Sequence, residues 1–190
     1  MEIFDDLIQE SYQERLKNVL LNDCFPWFFL PDLTGGYRNQ TQMRPAFGHH
    51  FFLDGKSNSD YGSLLVPLIT AVEKKVGLKF EQILKARTFL QLPLNIQNDE
   101  IDDFHVDLEE DHYVILYYVL SSDGETLLSN NVYETGSSVL MKNYNEIEIV
   151  KRVEPKQGRI LFFEGKYFHT ALQPKLHNRC IINIDLKVSR

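Results

Sequence analysis

The chain has 190 residues, 43% of them hydrophobic and 25% charged, and a formal net charge of −7. This is the composition of a globular protein, long enough for one domain with a sizeable core. The acidic balance argues against a generic nucleic-acid binder, which normally carries a basic face. No apolar run reaches the ~18 residues of a membrane span. The start, Met1-Glu2-Ile3-Phe4-Asp5-Asp6, lacks the basic and apolar regions of a signal peptide, so a cytoplasmic protein is expected. Cys24 and Cys180 are too few and too far apart for a disulfide framework or a metal clip. They are expected to be two buried thiols in a reducing compartment.

Taken in order, Ile3, Phe4, Leu7, Ile8, Leu16, Val19 and Leu20 recur near helical spacing and predict a helix over residues 3–22. Prolines break it within Phe25-Pro26-Trp27-Phe28-Phe29-Leu30-Pro31, which is expected to form a short strand packed on the core. The Gly35-Gly36 stretch to Arg44 reads as a loop. His49 to Leu53 reads as a strand ended by the turn signal Asp54-Gly55. Leu64, Leu65, Leu68, Ile69, Val72 and Val76 fit one face of a helix over residues 62–76. Pro67 suits its first turn and Gly77 its end.

Beyond residue 80 the period changes to short β-like runs bounded by turn residues. These are Ile83–Leu94, Tyr113–Leu120, Glu125–Leu128, Val139–Met141, Ile147–Val153, Arg159–Phe163 and Cys180–Val188. Thirteen Phe and nine Tyr against one Trp suit a β-rich body with aromatic packing. The expected class is α+β, mainly β, with helices packed on a sheet that closes or sandwiches. No linker divides the chain, so residues 1–190 are read as one domain, with 1–79 as a helical and strand support and 80–190 as the core.

Chemistry concentrates at His105-Val106-Asp107. In an extended segment, residues two apart project to the same side, so this imidazole and carboxylate can be neighbouring ligands of a divalent metal. His169, after the turn at Gly165, is the best third ligand. Together they would form a two-His, one-carboxylate triad with open positions, the pattern of non-haem iron oxygenases. His49 and His50 face opposite ways on their strand, and His112 and His177 adjoin turns, so structural or solvent roles are expected for those four. Arg179 begins an apolar strand, where a guanidinium is costly to bury unless paired. Its partner is either one of the 27 acidic residues or a bound carboxylate. By alternation Asn183 faces the same side.

The order His105-Val106-Asp107, Leu116-Tyr117-Tyr118-Val119-Leu120, Gly124-Glu125-Thr126, His169-Thr170 and Arg179 resembles the Fe(II)- and 2-oxoglutarate-dependent dioxygenases. The prolyl-hydroxylase-like group with phage and bacterial members is the nearest in kind, and the resemblance is strongest over residues 80–190. It implies a double-stranded β-helix, a jelly-roll or cupin-like barrel with the N-terminal helices on one sheet. It implies His105, Asp107 and His169 as the catalytic metal ligands, and Arg179 with Tyr118 as the partners of the 2-oxoglutarate C5 carboxylate. A tyrosine common in the group is replaced here by Leu92, before Pro93, so Gln91 or Asn183 is expected to make the missing polar contact. Arg87, on the same strand, reads better as a surface ion pair than as a lining residue.

The implied reaction uses Fe(II), 2-oxoglutarate and O2 to hydroxylate a substrate C–H bond, releasing succinate and CO2. A peptide or protein side chain (prolyl or other), a free amino acid and a small metabolite all stay open as substrates. Residues 34–48 and 129–138 are the candidate selecting loops. The acidic flank Asp102, Asp103, Glu109, Glu110 and Asp111 reads as a solvated loop rather than a docking site for a basic peptide. Two alternatives stand beside the enzyme: a cupin-like metal or small-molecule binder without turnover, and an oxygenase of nucleic acid, which the acidic charge disfavours.

Overall fold

A computed structural model describes residues 1–34, 42–95, 101–141 and 147–189. Among these, two antiparallel sheets form the body, with strands numbered along the chain. The larger has the order β1 (Glu2–Phe4), β11 (Ile160–Glu164), β7 (Tyr113–Tyr118), β13 (Arg179–Val188), β5 (Phe80–Gln91), β3 (Ala46–Leu53) and β2 (Phe28–Leu30), with β4 (Lys56–Ser57) paired to β3. The smaller has the order β10 (Ile149–Val153), β8 (Thr126–Val132), β12 (Tyr167–Ala171), β6 (Phe104–His105) and β9 (Leu140–Met141). The jelly roll is therefore present as two sheets packed together, and among the described residues no ladder closes them into a barrel.

Strand alternation explains the layers. Val114, Leu116 and Tyr118 of β7, Leu161 and Phe163 of β11 and Ile181 of β13 meet Leu128 and Val153 of the smaller sheet. The intervening residues, including Ile115, Tyr117, Ile160, Phe162, Cys180, Ile182, Ile184 and Leu186, face the other way. They form the main core with Leu16 and Leu20 of α1 (Glu10–Leu20) and Leu68 and Val72 of α2 (Val66–Val76). Both helices therefore lie on the larger sheet. Phe104, Val106, Leu127 and Phe168 cluster on the outer face of the smaller one.

The second helix matches its signals. A 3-10 turn (Asp60–Leu65) leads into α2, Pro67 lies in the first turn, and Gly77 closes the helix in the left-handed region at φ 72°. The first helix begins later than its periodicity predicts. Residues 2–4 pair with β11, Ile3 opposite Leu161, and the helix starts only at Glu10. Strand pairing against an open sheet edge outweighs the weak local preference. The aromatic segment also divides differently. Phe25 is buried and Trp27 packs beside it, whereas Phe28 and Phe29 on the edge strand β2 are 64% and 61% exposed. Of the two thiols, Cys180 is buried but Cys24 is exposed, in the turn after α1 where its backbone N–H donates to Asn22.

Leu68 is fully buried where α2 meets the sheet. Leu68→Ala is expected to lower unfolding free energy by about 2–5 kcal/mol. Urea denaturation checks this; a change of the size of a surface substitution would mean that α2 is not seated on the sheet.

Candidate active site

His105 ends β6 and pairs directly with His169 on β12. The two rings lie 4.7 Å apart. Asp107 lies beyond the strand, so alternation alone does not place it. A bond from Val106 N–H to Val139 C=O carries the pairing one residue past β6, and Asp107 then turns its carboxylate between the rings. Its Oδ2 is 3.3 Å from His169 Nε2, and its Oδ1 is 3.9 Å from His105 Nε2. One donor atom from each residue lies within 4.8 Å of the others.

These residues fit a divalent metal. Cis ligands of an octahedral ion held at about 2.1 Å lie about 3 Å apart, so small adjustments close the set. The tautomers agree. His105 Nδ1 faces Asp103 C=O at 3.4 Å, and His169 Nδ1 faces Tyr167 C=O at 3.2 Å. A carbonyl only accepts, so Nδ1 carries the proton and Nε2 keeps its lone pair. Burial within the concave mouth, then the neighbouring His169, pushes His105 down to about 4, which keeps it neutral. Burial alone would raise Asp107, but the Arg87 guanidinium beside it outweighs burial and holds the carboxylate well below its ordinary value.

Arg179 is buried and makes three donor contacts. Its Nε donates to Gly124 C=O at 2.9 Å, Nη1 to Gln91 Oε1 at 2.9 Å and Nη2 to Thr126 Oγ1 at 3.0 Å. All three acceptors are neutral. Among the described residues no carboxylate pairs with it, so the ion pair weighed from the sequence is absent. Gly124 permits this approach, because a Cβ there would stand 2.9 Å from Arg179 Cδ and 2.8 Å from Leu172 C=O.

An inner cavity of 150 Å³ joins the two groups, with Arg179, Thr126, Gln91 and Asn183 on its walls along with His105, Asp107 and His169. It is small beside the roughly 300–1,000 Å³ of a drug-sized ligand site. An outer cavity of 450 Å³ shares Leu33, Arg87, Gln91, His105, Asp107, Thr170 and Ala171 with it and adds Val106, Val139 and Leu140. His105, with 39% of its side chain exposed, stands where the two meet.

No protein-family model matches the chain, and no curated protein matches it in sequence. Solved structures do match in shape. One is described as an oxidoreductase of the 2OG-Fe(II) oxygenase family from Burkholderia pseudomallei, 11% identical over 97% of this chain and 84% of that one, with a TM-score of 0.66. A prolyl hydroxylase from Trichoplax adhaerens, in complex with a peptide fragment of the hypoxia inducible factor oxygen degradation domain, is 14% identical over 97% and 82%, with a TM-score of 0.62. The epimerase SnoN, in complex with Fe3+, alpha-ketoglutarate and nogalamycin RO, is 11% identical over 97% and 77%, with a TM-score of 0.61. The fold is that of the 2OG-Fe(II) oxygenases.

On this fold the five further sequence candidates take distinct places. Tyr118 is fully buried behind the cavity wall; its hydroxyl donates to Thr126 Oγ1 at 2.8 Å, and the Arg179 guanidinium lies 6.0 Å from the centre of its ring. Gln91 accepts from Arg179, and Asn183 Nδ2 donates to Asp107 Oδ2 at 3.1 Å. Leu92 is half exposed just past the end of β5. Arg87 is not a surface residue; it forms a mostly buried ion pair with Asp107 Oδ1. Its strand position is inward, which the sequence reading underweighted.

Of the four other histidines, His49 is bonded to Pro26 C=O at 3.0 Å and Ser59 Oγ at 2.8 Å, a structural role. The acidic flank divides. Asp102 and Asp103 line the outer cavity, with Asp102 held by the buried Arg44 at 3.2 Å. Glu109, Glu110 and Asp111 line a separate cavity of 410 Å³. Of the two candidate loops, 34–48 borders the mouth at Thr34, next to Leu33, while residues 35–41 fall outside the described set and residues 46–48 belong to β3. Residues 129–132 belong to β8, and none of 129–138 lines the outer cavity, whose wall is Val139 and Leu140 instead. Sequence reasoning quoted Thr126 within Gly124-Glu125-Thr126 but gave it no role as a lining residue.

The segment leading into Arg179 is pinned by Asp123. Its carboxylate accepts from the backbone N–H of Lys175 at 2.8 Å, Leu176 at 3.1 Å and His177 at 3.0 Å. These bonds outweigh partial burial and lower its pKa. Asp123→Ala is expected to cost about 1–3 kcal/mol. Because the folded pKa lies below the unfolded one, the contribution is present at neutral pH and fades as pH falls below about 4. Denaturation of both proteins along a pH series checks the magnitude and the sign; a difference that grew on acidification would contradict it.

Proposed function

We propose that the chain is an Fe(II)- and 2-oxoglutarate-dependent oxygenase that oxidises a C–H bond of its substrate. The observation that carries this is the guanidinium of Arg179. It is buried with only neutral acceptors, at a wall of a small cavity that also exposes the His105–Asp107–His169 set. A buried cation without an anion is costly, and a ligand carboxylate is the natural complement. When bound, the iron with 2-oxoglutarate and O2 supplies the oxidising power, and the cosubstrate leaves as succinate and CO2.

The protein's part is placement. His105, Asp107 and His169 hold the metal through Nε2, a carboxylate oxygen and Nε2. Arg179 and the Thr126 hydroxyl take the far carboxylate of 2-oxoglutarate, and Gln91 orients Arg179. Thr126 Oγ1 already accepts from Tyr118 and Arg179, so its own proton is available to donate. The inner cavity suits a small dicarboxylate. The outer cavity, with Val106, Val139 and Leu140 on its wall, receives the substrate beside His105. Its size suits a peptide side chain or a small molecule. Solved structures of similar fold include a peptide-bound hydroxylase and an epimerase, so the fold does not choose between them.

Calorimetry tests the metal set. His105→Ala and His169→Ala should each abolish or strongly weaken Mn(II) binding, and unchanged affinity in both would end the proposal. Arg179→Ala tests the cosubstrate. Truncating one member of a buried charge pair costs about 2–5 kcal/mol, which is roughly 30-fold to several-thousand-fold in affinity. 2-Oxoglutarate binding should weaken by at least the lower figure while Mn(II) affinity holds. Arg179→Lys should fall between, keeping the charge but not the fork. Parent-like 2-oxoglutarate affinity in Arg179→Ala would make Arg179 a structural residue.

A further inference from the structure

The inward positions of β5 run Lys85, Arg87, Phe89 and Gln91, facing Asp185, Asn183, Ile181 and Arg179 across the ladder to β13. The directly opposed Arg87 and Asn183 converge on one group. Arg87 Nη2 is paired with Asp107 Oδ1, and Asn183 Nδ2 donates to Asp107 Oδ2. Of the two oxygens, Oδ2 is the one 3.3 Å from His169 Nε2. Arg87 is itself held, its guanidinium 5.4 Å from the centre of the Phe89 ring.

Asp107 needs such a clamp. It lies past the end of β6, so no sheet ladder fixes its backbone, and the terminal torsion of an aspartate is intrinsically broad. Left alone, the carboxylate could rotate to offer either oxygen, or both, to a cation. We infer that Arg87 is a positioning residue of the metal site. By occupying Oδ1 it fixes the rotation of the Asp107 carboxylate so that Oδ2 alone serves the metal, with Asn183 steadying Oδ2 from the β13 side. This rests on the metal site proposed above and deepens it. Arg87 touches neither metal nor cosubstrate in this role; it acts through Asp107.

The sign of the effect separates positioning from charge. Arg87 is a cation beside a cation site, so removing its charge would by electrostatics alone tighten metal binding. Loss of an outer partner that orients a ligand does the opposite, typically weakening metal affinity about 10–100-fold. Mn(II) calorimetry on full-length Arg87→Met and Arg87→Lys, with circular dichroism and thermal midpoint as fold controls, reads the two apart. The expected result is a 10–100-fold loss in Arg87→Met and a smaller loss in Arg87→Lys, which keeps the charge but not the planar fork. The visible spectrum of the Co(II)-loaded variants should also change, because a freed carboxylate can offer a second oxygen.

Parent-like or tighter Mn(II) binding in Arg87→Met overturns the inference. If that variant does not fold, parent-like affinity and an unchanged Co(II) spectrum in Arg87→Lys overturn it. Asp107→Ala keeps the two proposals distinct. Mn(II) binding by the parent that survives Asp107→Ala would remove the metal site itself and Arg87's role with it. Binding that depends on Asp107 but not on Arg87 would remove only the latter.

Discussion

The site depends on a single buried anion. The Asp107 side chain is 1% exposed, and an isolated carboxylate in such surroundings carries a desolvation penalty of several kcal/mol. Arg87 and Asn183 offset that penalty, so the group stays ionised. Asp185 faces the same interior from β13 and meets the opposite outcome. Burial, and then the charge of Asp107, raises its pKa well above the ordinary value. Two carboxyl groups a short distance apart are thus driven in opposite directions, and the negative charge is confined to the one between the histidines.

Strand register is what brings this about. Along β13 the residues Cys180, Ile182, Ile184 and Leu186 bury against the helices, while Arg179, Asn183 and Asp185 turn inward. A slip of one residue would exchange these faces, placing a guanidinium and a carboxyl in the apolar core. The helices lie on the far side of the larger sheet from His105, Asp107 and His169, yet the face that they cover is what makes such a slip costly. The placement of Arg179 opposite Gln91 and of Asn183 opposite Arg87 follows from packing on the other side of the sheet.

This explains which features were legible in the sequence. His105 and Asp107 stood out by their spacing of two, and His169 and Arg179 because charged and metal-binding types are rare in aromatic and aliphatic runs. The second helix was legible from its leucine spacing, Pro67 and Gly77. The first was overextended because Ile3, Phe4, Leu7 and Ile8 fit a helix as well as a strand end, and only the edge of β11 decides between them. The roles of Arg87 and Thr126 were not legible. An arginine or a threonine in a strand is ordinary, and what each does depends on β13 and β8 arriving beside it. Arg44 was hidden for the same reason, since its partner Asp102 lies 58 residues away.

The two inward arginines divide the inner cavity electrically. Both line it, from adjacent strands, and both are largely withdrawn from water. The charge of Arg87 is already balanced by Asp107. That of Arg179 meets a carbonyl, an amide oxygen and a hydroxyl, which solvate it without neutralising it. The uncompensated positive charge therefore sits at the Arg179 wall, and an incoming carboxylate gains most there. On the proposed reading, a dicarboxylate that enters this cavity has its orientation chosen before it meets the metal. One end is drawn to Arg179, and the other is left for the open positions beside His105 and His169. On that same reading Asp107 serves twice, as a ligand and as the counter-charge that stops Arg87 from competing for the cosubstrate.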